Sequence, residues 1–489
     1  MSLNFLLRLG LGLLLAGMVG AGYARSRRME AGGPRGDDRK DAVVYGDPGT
    51  FAFMILAFAV LAVVFDGPEQ GSHLAVRMLL ESAADLSLYF LLLLLALPLL
   101  RRRFSARLCA SLWLVPTFMG AGMNALLNFR RVPSLVIPLR AEWLPALGWL
   151  WLAGFLLVFG GRVMGDRRFR RELLTGAYPE EDPEVLAIWR EVLLAMDLPW
   201  EVRLLRSPAA CSPLSLREGR KKYATVLPER DYTEEELRFL FSHELHHLQR
   251  RDIDTKVFLA FCQGLCWFNP LVWLAAAKGS DDLELSCDEV VLAGQDARQR
   301  RDYAHLLLQS AAEGRGFTTC LSARGRSLRY RLENVLKPRD RRPGTLLLAA
   351  VTLSVFLSWG TCAVSTRQGT LGEVAFPQGW EGMAIEISLE EGDAPRRDCR
   401  EPEKLLAYLA ALPAEELEIL GKVADDEKPQ LCLTFGAYWE YYAVTGRAAQ
   451  RRYVNGGQRN TVWVLSAPLD WETVLSVFPE ESGPGAWTG

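Results

Sequence analysis

Three of the five histidines in the chain fall in one short stretch, His243-Glu244-Leu245-His246-His247. The stretch matches the pattern His-Glu-x-x-His, whose first and last side chains stand one turn apart on one face of a helix. His243 and His247 can therefore offer imidazole nitrogens to a single ion. Zinc suits two imidazoles, one carboxylate and an open position for water. Glu244 can take a proton from that water, so the residues predict metal-assisted hydrolysis of a peptide bond.

The alternative for this motif is a surface helix that happens to be rich in histidine. Against it, Thr233 and Glu236 have the spacing of a capping box, which predicts a well-defined helix running to about Arg250. His246 lies three residues after His243 and could in principle replace His247 as a ligand. The motif spacing favours His247, and His246 is predicted to pack behind the site.

A third protein ligand is expected in the acidic cluster that lies downstream of the motif. Glu284 and Asp288 are one helical turn apart, so Glu284 can bind the ion while Asp288 accepts the outer N–H of a ligand histidine. Spacing alone does not choose among Asp281, Asp282, Glu284 and Asp288. A bare acidic cluster of this kind is more often a solvated helix face.

Half of the residues are hydrophobic, and they are concentrated in runs long enough to cross a bilayer. Six runs are predicted as membrane spans: 5–23, 51–65, 80–100, 109–127, 143–161 and 344–364. Arginine clusters flank three of them, at 101–103, 162–171 and 339–342. Basic residues beside short loops stay in the cytoplasm, so segment 162–342 is predicted inside and segment 366–489 outside. A formal net charge of −2 gives no case for direct nucleic-acid binding.

The inner segment is predicted to be mainly helical, with one helix over Pro183–Leu198 and a short strand over Tyr223–Leu227. Two further helices are expected, one over the apolar stretch Val257–Ala277 and one over Asp281–Ala293. The outer segment is predicted to be a small α+β domain. Its expected helices are 403–412 and 414–420, and its expected strands are 374–389, 431–444 and 461–466.

Five blocks of residues occur in an order that resembles the BlaR/MecR-type membrane metallopeptidases, which are antibiotic sensors and signal transducers of bacteria. The resemblance spans roughly residues 78 to 345. The blocks are Cys211-Ser212-Pro213-Leu214-Ser215 with Val226-Leu227-Pro228, the run from His243 to Asp252, Trp267-Phe268-Asn269-Pro270-Leu271-Val272-Trp273, Glu284-Leu285-Ser286-Cys287-Asp288, and Arg331-Leu332-Glu333-Asn334-Val335-Leu336.

The resemblance implies a gluzincin-like zinc site, with His243, His247 and Glu284 as ligands and Glu244 as the catalytic base. Three further residues are placed behind the ligands as hydrogen-bond or packing partners: Asp288, His246 and Asp252. The resemblance also implies a signalling protease of the cell membrane, which cleaves a cytoplasmic protein such as a transcriptional repressor, or itself, after an outside signal. The lipid bilayer is the other expected partner, and the sequence leaves open whether the protein forms a homodimer.

Two other functions remain as alternatives. One is a housekeeping quality-control membrane protease with the same site, and the other is a receptor that uses the zinc fold only as a scaffold. The intact Glu244 argues against a scaffold, which needs no general base. The outer segment also departs from the β-lactam sensors, because no serine from Ser365 onward has a lysine three positions later. Its aromatic residues predict an ordinary core or a cleft for non-covalent recognition: Tyr438, Trp439, Tyr441, Tyr442, Trp463 and Trp471.

Overall fold

Three helical segments are long and apolar enough to cross a membrane, among the residues that the structure describes. The structure is a computed structural model that describes residues 3–30, 49–118, 133, 135–219, 221–313, 321–337, 340–358, 362–391, 396–418, 429–436, 440–453 and 461–479. The three segments are α1 (Leu3–Glu30), α3 (Pro68–Arg103) and the continuous stretch Ala141–Leu174, which comprises a 3-10 turn, α5 (Leu144–Phe155), a π-helical turn and α6 (Gly161–Leu174). Shorter apolar helices are α2 (Gly49–Asp66), α4 (Ala106–Leu112) and α13 (Thr345–Ser358).

Two predicted spans differ from the structure. In the span predicted over 109–127, α4 ends at Leu112 and a 3-10 turn follows over Val115–Phe118, while 119–127 lie outside the described residues. Pro116 has no N–H to donate, which disfavours continuation of an α-helix there. The span predicted over 344–364 is also too long, because its last residues belong to a strand, β6 (Cys362–Ser365). That strand pairs in parallel with β1 (Leu135–Pro138), which satisfies its backbone groups.

The described residues between α6 and α13 combine a four-stranded sheet with six helices. The sheet has the order β2-β3-β5-β4, and its strands are β2 (Tyr178–Pro179), β3 (Glu201–Arg206), β4 (Leu214–Gly219) and β5 (Lys222–Leu227). The helices are α7 (Pro183–Met196), α8 (Glu234–Gln249), α9 (Asp252–Leu265), α10 (Pro270–Val291), α11 (Ala297–Glu313) and α12 (Leu321–Leu336). The predicted helix at Pro183 and strand at Tyr223 are confirmed.

The predicted division of residues 257–293 into two helices is wrong in its boundary. Helix α9 ends at Leu265 and α10 begins at Pro270, where the side chain of Asn269 accepts a hydrogen bond from the backbone of Leu271. Proline is favoured in the first turn of a helix, so the new helix starts there rather than at Asp281. The acidic cluster and the apolar stretch before it therefore lie on one helix, which we call the acidic helix (α10).

Helices α9 and α10 share a buried core with the apolar helices of the N-terminal region. The ring of Phe51, on α2, meets the rings of Phe258 and Phe261 edge-on at 5.7 and 6.3 Å. Gly279 of the acidic helix lies against Trp113, where an added Cβ would come within 3.4 Å of the indole. The segment that carries the motif is thus packed directly against the membrane-type helices.

Residues after β6 form an eight-stranded antiparallel sheet with the order β7-β10-β14-β13-β12-β11-β8-β9. Its strands are β7 (Arg367–Thr370), β8 (Ile385–Glu390), β9 (Arg397–Asp398), β10 (Pro413–Glu418), β11 (Gln430–Phe435), β12 (Glu440–Val444), β13 (Ala448–Tyr453) and β14 (Thr461–Leu465). The helices of this region are α14 (Leu371–Val374), α15 (Pro402–Ala410) and α16 (Trp471–Leu475). The helix predicted over 414–420 is wrong, since β10 pairs with two strands there. Trp463 is buried in the core, whereas Tyr438 and Trp439 lie outside the described residues.

Candidate metal centre

The motif lies on α8, which we call the motif helix. The hydroxyl of Thr233 accepts a hydrogen bond from the backbone N–H of Glu236 at 3.3 Å, and the Glu236 carboxylate accepts one from the backbone N–H of Thr233 at 2.8 Å. This is the predicted capping box. The apolar face of the helix packs against α7, where Phe241 meets Trp189 edge-on at 4.9 Å. The cap and this packing fix the rotation of the helix, and therefore the direction of its histidines.

His243, His247 and Glu284 bring three candidate ligand atoms together. The two Nε2 atoms lie 3.2 Å apart, and the Glu284 carboxylate oxygens lie 3.5 Å from that of His243 and 3.6 Å from that of His247. Bonds of about 2.0–2.1 Å to a tetrahedral ion would separate such ligand atoms by about 3.3–3.4 Å. The three separations fit a single small ion, and the donor set of two imidazoles and one carboxylate is the one that zinc prefers in hydrolytic sites.

His247 is oriented by Asp252, the first residue of α9. The Nδ1 atom of His247 lies 2.7 Å from the Asp252 carboxylate, so Nδ1–H donates and Nε2 stays available for an ion. Arg251 adopts a left-handed conformation with φ of 58°, which turns the chain back between the two helices and places Asp252 behind the imidazole. Burial alone would raise the pKa of Asp252, but the hydrogen bond from His247 and the neighbouring charges lower it below its usual value.

His243 is oriented through Tyr303, a residue of α11. The Tyr303 hydroxyl lies 3.0 Å from His243 Nδ1 and donates to the Asp288 carboxylate at 2.6 Å. Since the hydroxyl has one hydrogen and gives it to Asp288, His243 must donate from Nδ1 and keep Nε2 free. Asp288 itself is 3.4 Å from that nitrogen. Arg331 holds the same carboxylate through two hydrogen bonds of 2.7 Å.

The Glu284 carboxylate is half-buried, and the charges around it favour its ionised form. Burial would raise the pKa of Glu284, but the ammonium of Lys256 at 3.2 Å and the imidazole of His247 lower it well below its usual value. Arg331 contributes a further cation at 3.4 Å. Burial would likewise lower the pKa of His247, while Cys287, Glu284 and Asp252 raise it well above its usual value. The site therefore has a strong attraction for positive charge, whether a proton or a metal ion.

A second group of possible ligands, His247, Asp252 and Cys287, lies beside the first. The Cys287 sulfur is 3.4 Å from His247 Nδ1 and 3.6 Å from the Asp252 carboxylate. This group uses the nitrogen that already donates to Asp252 at hydrogen-bond distance, and all three residues are buried. The first group fits an ion better, because its atoms face open space.

That open space is a cleft of about 430 Å³, lined by the ligand triad, Glu244 and Arg331. Glu244 follows His243 on the motif helix and borders the same space, as a base for a water in the site must. On another side the cleft is lined by Leu214 and Ser215 of β4, an outer strand of the sheet. A polypeptide bound in this cleft would therefore lie beside the metal ligands, the general base Glu244 and the edge of β4 at the same time.

His246 points away from the ligand triad. Its Nδ1 atom lies 2.6 Å from the Ser242 carbonyl oxygen and donates to it, and burial lowers the pKa of His246 to about 4. Next to it, the buried guanidinium of Arg250 donates to Glu30 at 2.8 Å and to Ser286 at 2.6 Å. Arg250 thereby joins the end of α1 to both helices that carry the candidate ligands.

Four residues of this site were not singled out from the sequence: Tyr303, Arg331, Lys256 and Glu30. Arg331 lies in one of the blocks that carry the family resemblance, which was its only signal. Tyr303 and Lys256 are single polar residues on otherwise ordinary helices. Glu30 lies more than two hundred residues before its partner, as its separation of 220 from Arg250 shows.

Comparison with known proteins points in the same direction as the geometry. Residues 137–335 match the family described as BlaR1 peptidase M56. A stretch of 133 residues is 29% identical to the regulatory protein BlaR1 of Bacillus licheniformis, and covers 27% of this chain and 22% of that protein. The matched stretch is therefore less than a quarter of the relative's length. Residues 137–335 are therefore similar to a BlaR1-type peptidase domain, and every residue of the candidate centre except Glu30 lies inside the matched range.

Proposed function

We propose that this BlaR/MecR-type peptidase domain makes the protein a membrane-embedded, zinc-dependent endopeptidase. The observation that carries the proposal is the triangle of His243, His247 and Glu284, whose separations of 3.2 to 3.6 Å fit one tetrahedral ion. When bound, the ion supplies a polarised water and stabilises negative charge on the scissile carbonyl oxygen. Glu244 takes the proton of the attacking water and returns it to the leaving amine.

The remaining residues of the site hold these groups in their working states. Asp252 and Tyr303 accept the Nδ1 hydrogens of the two histidines, so an ion that binds meets both imidazoles through Nε2 and displaces any proton held there. Arg331 and Lys256 border the cleft and carry positive charge near the place where a tetrahedral intermediate would develop its negative charge. The site therefore requires side chains from five helices, α8 to α12, to converge.

The substrate is an extended polypeptide. Strand β4 lies at the edge of its sheet, and its residues Leu214 and Ser215 line the cleft beside Glu244. An extended chain can add to such an edge through main-chain hydrogen bonds, which bind any sequence and leave selection to the side-chain pockets. This arrangement presents an internal peptide bond to the ion, as an endopeptidase needs.

The catalytic domain is proposed to face the cytoplasm, with the eight-stranded sheet on the opposite side. Two contacts support a common side for the basic clusters: Arg342 donates from its backbone N–H to the carbonyl of Arg103, and Ser105 donates to the carbonyl of Arg342. On the side away from Arg103, β1 pairs with β6, and Glu81 in the first half of α3 accepts a hydrogen bond from the backbone N–H of Val364. The basic clusters at 101–103 and 339–342 are thus at one end of these helices, and the contacts of β6 are at the other. This is the distribution that the positive-inside rule predicts for a cytoplasmic catalytic domain.

The biological substrate is proposed to be a cytoplasmic regulatory protein of the repressor type, or the chain itself, cut in response to a signal from outside. The support is the name of the relative, a regulatory protein, together with an outer segment attached directly to a membrane helix. The alternative, a housekeeping protease, would not need residues 366–489 for control. Removing that segment distinguishes the two, because regulated cleavage would lose its inducer dependence whereas housekeeping cleavage would continue unchanged.

The decisive experiment compares cells that express the wild type, Glu244→Gln and Glu235→Gln. Glu235 is an exposed glutamate on the same helix and serves as the matched control. Loss of the general base should lower cleavage about 10²–10⁴-fold, so a fragment present with the wild type and with Glu235→Gln should be missing with Glu244→Gln. Zinc content measured on the purified proteins should be equal in all three. A fragment that persists with Glu244→Gln would contradict the proposal.

A further inference from the structure

A second cavity, of about 700 Å³, lies between α3, the acidic helix and α12. It shares no lining residue with the metal cleft. One end of this groove is apolar and the other is basic. The apolar end is lined by Leu91, Leu94, Leu95, Leu97, Pro98, Leu271 and Leu274.

The apolar end belongs to the part of the protein that meets the bilayer. Its longest wall is α3, one of the helices apolar enough to cross a membrane. Leu95 is 71% exposed and Leu274 is 48% exposed, on two different helices that flank the groove. Leucines with this exposure beside a membrane-type helix are suited to contact with acyl chains, since such contact removes them from water.

The basic end lies where α3 terminates, which is where the positive-inside rule predicts the cytoplasmic surface of the bilayer. Four cationic residues from three separate segments line it: Arg101, Arg102, Lys278 and Arg341. Arg101 and Lys278 already contact Asp282 and Asp281, which fixes their positions. Arg102 is exposed and has no ion pair within the described part of the chain. Glu333 is the one carboxylate among the lining residues and pairs with Arg329, so Arg102 and Arg341 leave positive charge in excess there.

Two buried hydrogen-bond donors at this end are unpaired. The Tyr330 hydroxyl and the Arg341 Nε atom are both shielded from solvent and have no partner among the described residues, and both residues line the groove. The guanidinium of Arg101 stacks over the Tyr330 ring at 4.8 Å from its centroid. Buried donors are almost always satisfied in folded proteins, so both donors are available to an acceptor that enters the groove, whether a water or a ligand oxygen.

We propose that this groove binds one anionic phospholipid. Its phosphate accepts hydrogen bonds from Arg341 and Tyr330 and is neutralised by Arg102 and Arg341, while an acyl chain lies along the leucines of α3. Basic pockets between membrane helices are the usual place for anionic headgroups on the cytoplasmic side. A free anion would satisfy the basic end but leave the leucines uncovered, and a zwitterionic lipid would meet less attraction. The lipid would also contact Lys278 on the acidic helix, which carries Glu284.

The test uses the full-length protein, purified in detergent and stripped of lipid, with binding followed by native mass spectrometry. The probes are dioleoyl phosphatidylglycerol, dioleoyl phosphatidylcholine and glycerol 3-phosphate. Phosphatidylglycerol should be retained as one tight equivalent, and the other two should bind more weakly. Each cationic contact with an anionic headgroup contributes about a fivefold change in affinity. Arg102→Gln and Arg341→Gln should therefore each weaken phosphatidylglycerol binding by about that factor.

Arg103→Gln is the matched control, because Arg103 is exposed and adjacent on α3 but does not line the groove. Arg103→Gln should leave the tightly bound equivalent of phosphatidylglycerol unchanged. Because Arg102 and Arg103 are both exposed, neither substitution should affect folding. Equal weakening by Arg103→Gln and Arg102→Gln would overturn the site in favour of general surface attraction. Equal binding of phosphatidylcholine, or of glycerol 3-phosphate, would also overturn it.

Discussion

The Tyr303→Phe substitution tests whether the chain from His243 through Tyr303 to Asp288 prepares the metal site. The change removes one oxygen atom and keeps the ring, which packs edge-on against Phe239 at 5.4 Å. That oxygen accepts a hydrogen bond from His243 Nδ1 and donates one to the Asp288 carboxylate. Without it, the tautomer that presents Nε2 to the ion is no longer favoured.

The magnitude follows from the distances. The next acceptor for His243 Nδ1–H is the Asp288 carboxylate at 3.4 Å, which lies beyond the usual hydrogen-bond range of about 2.7–3.2 Å. A buried donor left unsatisfied costs about 1–3 kcal/mol. Loss of a partner behind a metal ligand lowers metal affinity about 10–100-fold. Arg331 keeps Asp288 paired through two bonds of 2.7 Å, so the damage should stay at His243.

The zinc dissociation constant is measured on the full-length protein in detergent, by competition with a chelator of known affinity. Tyr89→Phe is the control, because the Tyr89 hydroxyl is also buried and donates at 2.6 Å, to the carbonyl of Leu112, away from the metal centre. Both variants should lose thermal stability, and only Tyr303→Phe should bind zinc more weakly. If both retain the affinity of the wild type, Tyr303 does not orient His243 and the reasoning is wrong.

Three further predictions concern the same centre. Zinc affinity should fall as pH falls, because the raised pKa of His247 means that an ion must displace a proton from it. Calorimetry at neutral pH in buffers of different ionisation heat should show release of about one proton, and observed binding heats that are the same in every buffer would contradict this. Asp252→Asn should weaken zinc binding about 10–100-fold in the chelator competition, whereas Asp254→Asn, on the same helix but outside the cleft, should not. His246→Ala should keep its zinc in metal analysis while His247→Ala loses it, since His246 donates to the Ser242 carbonyl and not to the site; zinc loss from His246→Ala alone would reverse the assignment.

Local chemistry made the motif helix predictable. The capping box of Thr233 and Glu236, the spacing of His243 and His247, and the apolar positions between them are all properties of neighbouring residues. The helix at Pro183 and the strand ending at Leu227 were predictable for the same reason. By contrast, residues 414–420 have the composition of a helix, but β10 forms there because β7 and β14 lie on either side of it and pair with its backbone.

The choice of the third candidate ligand shows what only the tertiary structure could decide. Sequence spacing left four acidic residues equivalent, and the fold gives each a different partner. Asp282 accepts from Trp113 and Arg101, both at 2.8 Å, and Asp281 pairs with Lys278. Asp288 is held by Tyr303 and Arg331, which leaves Glu284 opposite the two histidines. The sequence by itself determined the motif, its helix and the chemistry they support, because these depend on neighbours along the chain. The partners that orient each group come from distant segments, so only the packing of α3, α11 and α12 around the acidic helix selected them.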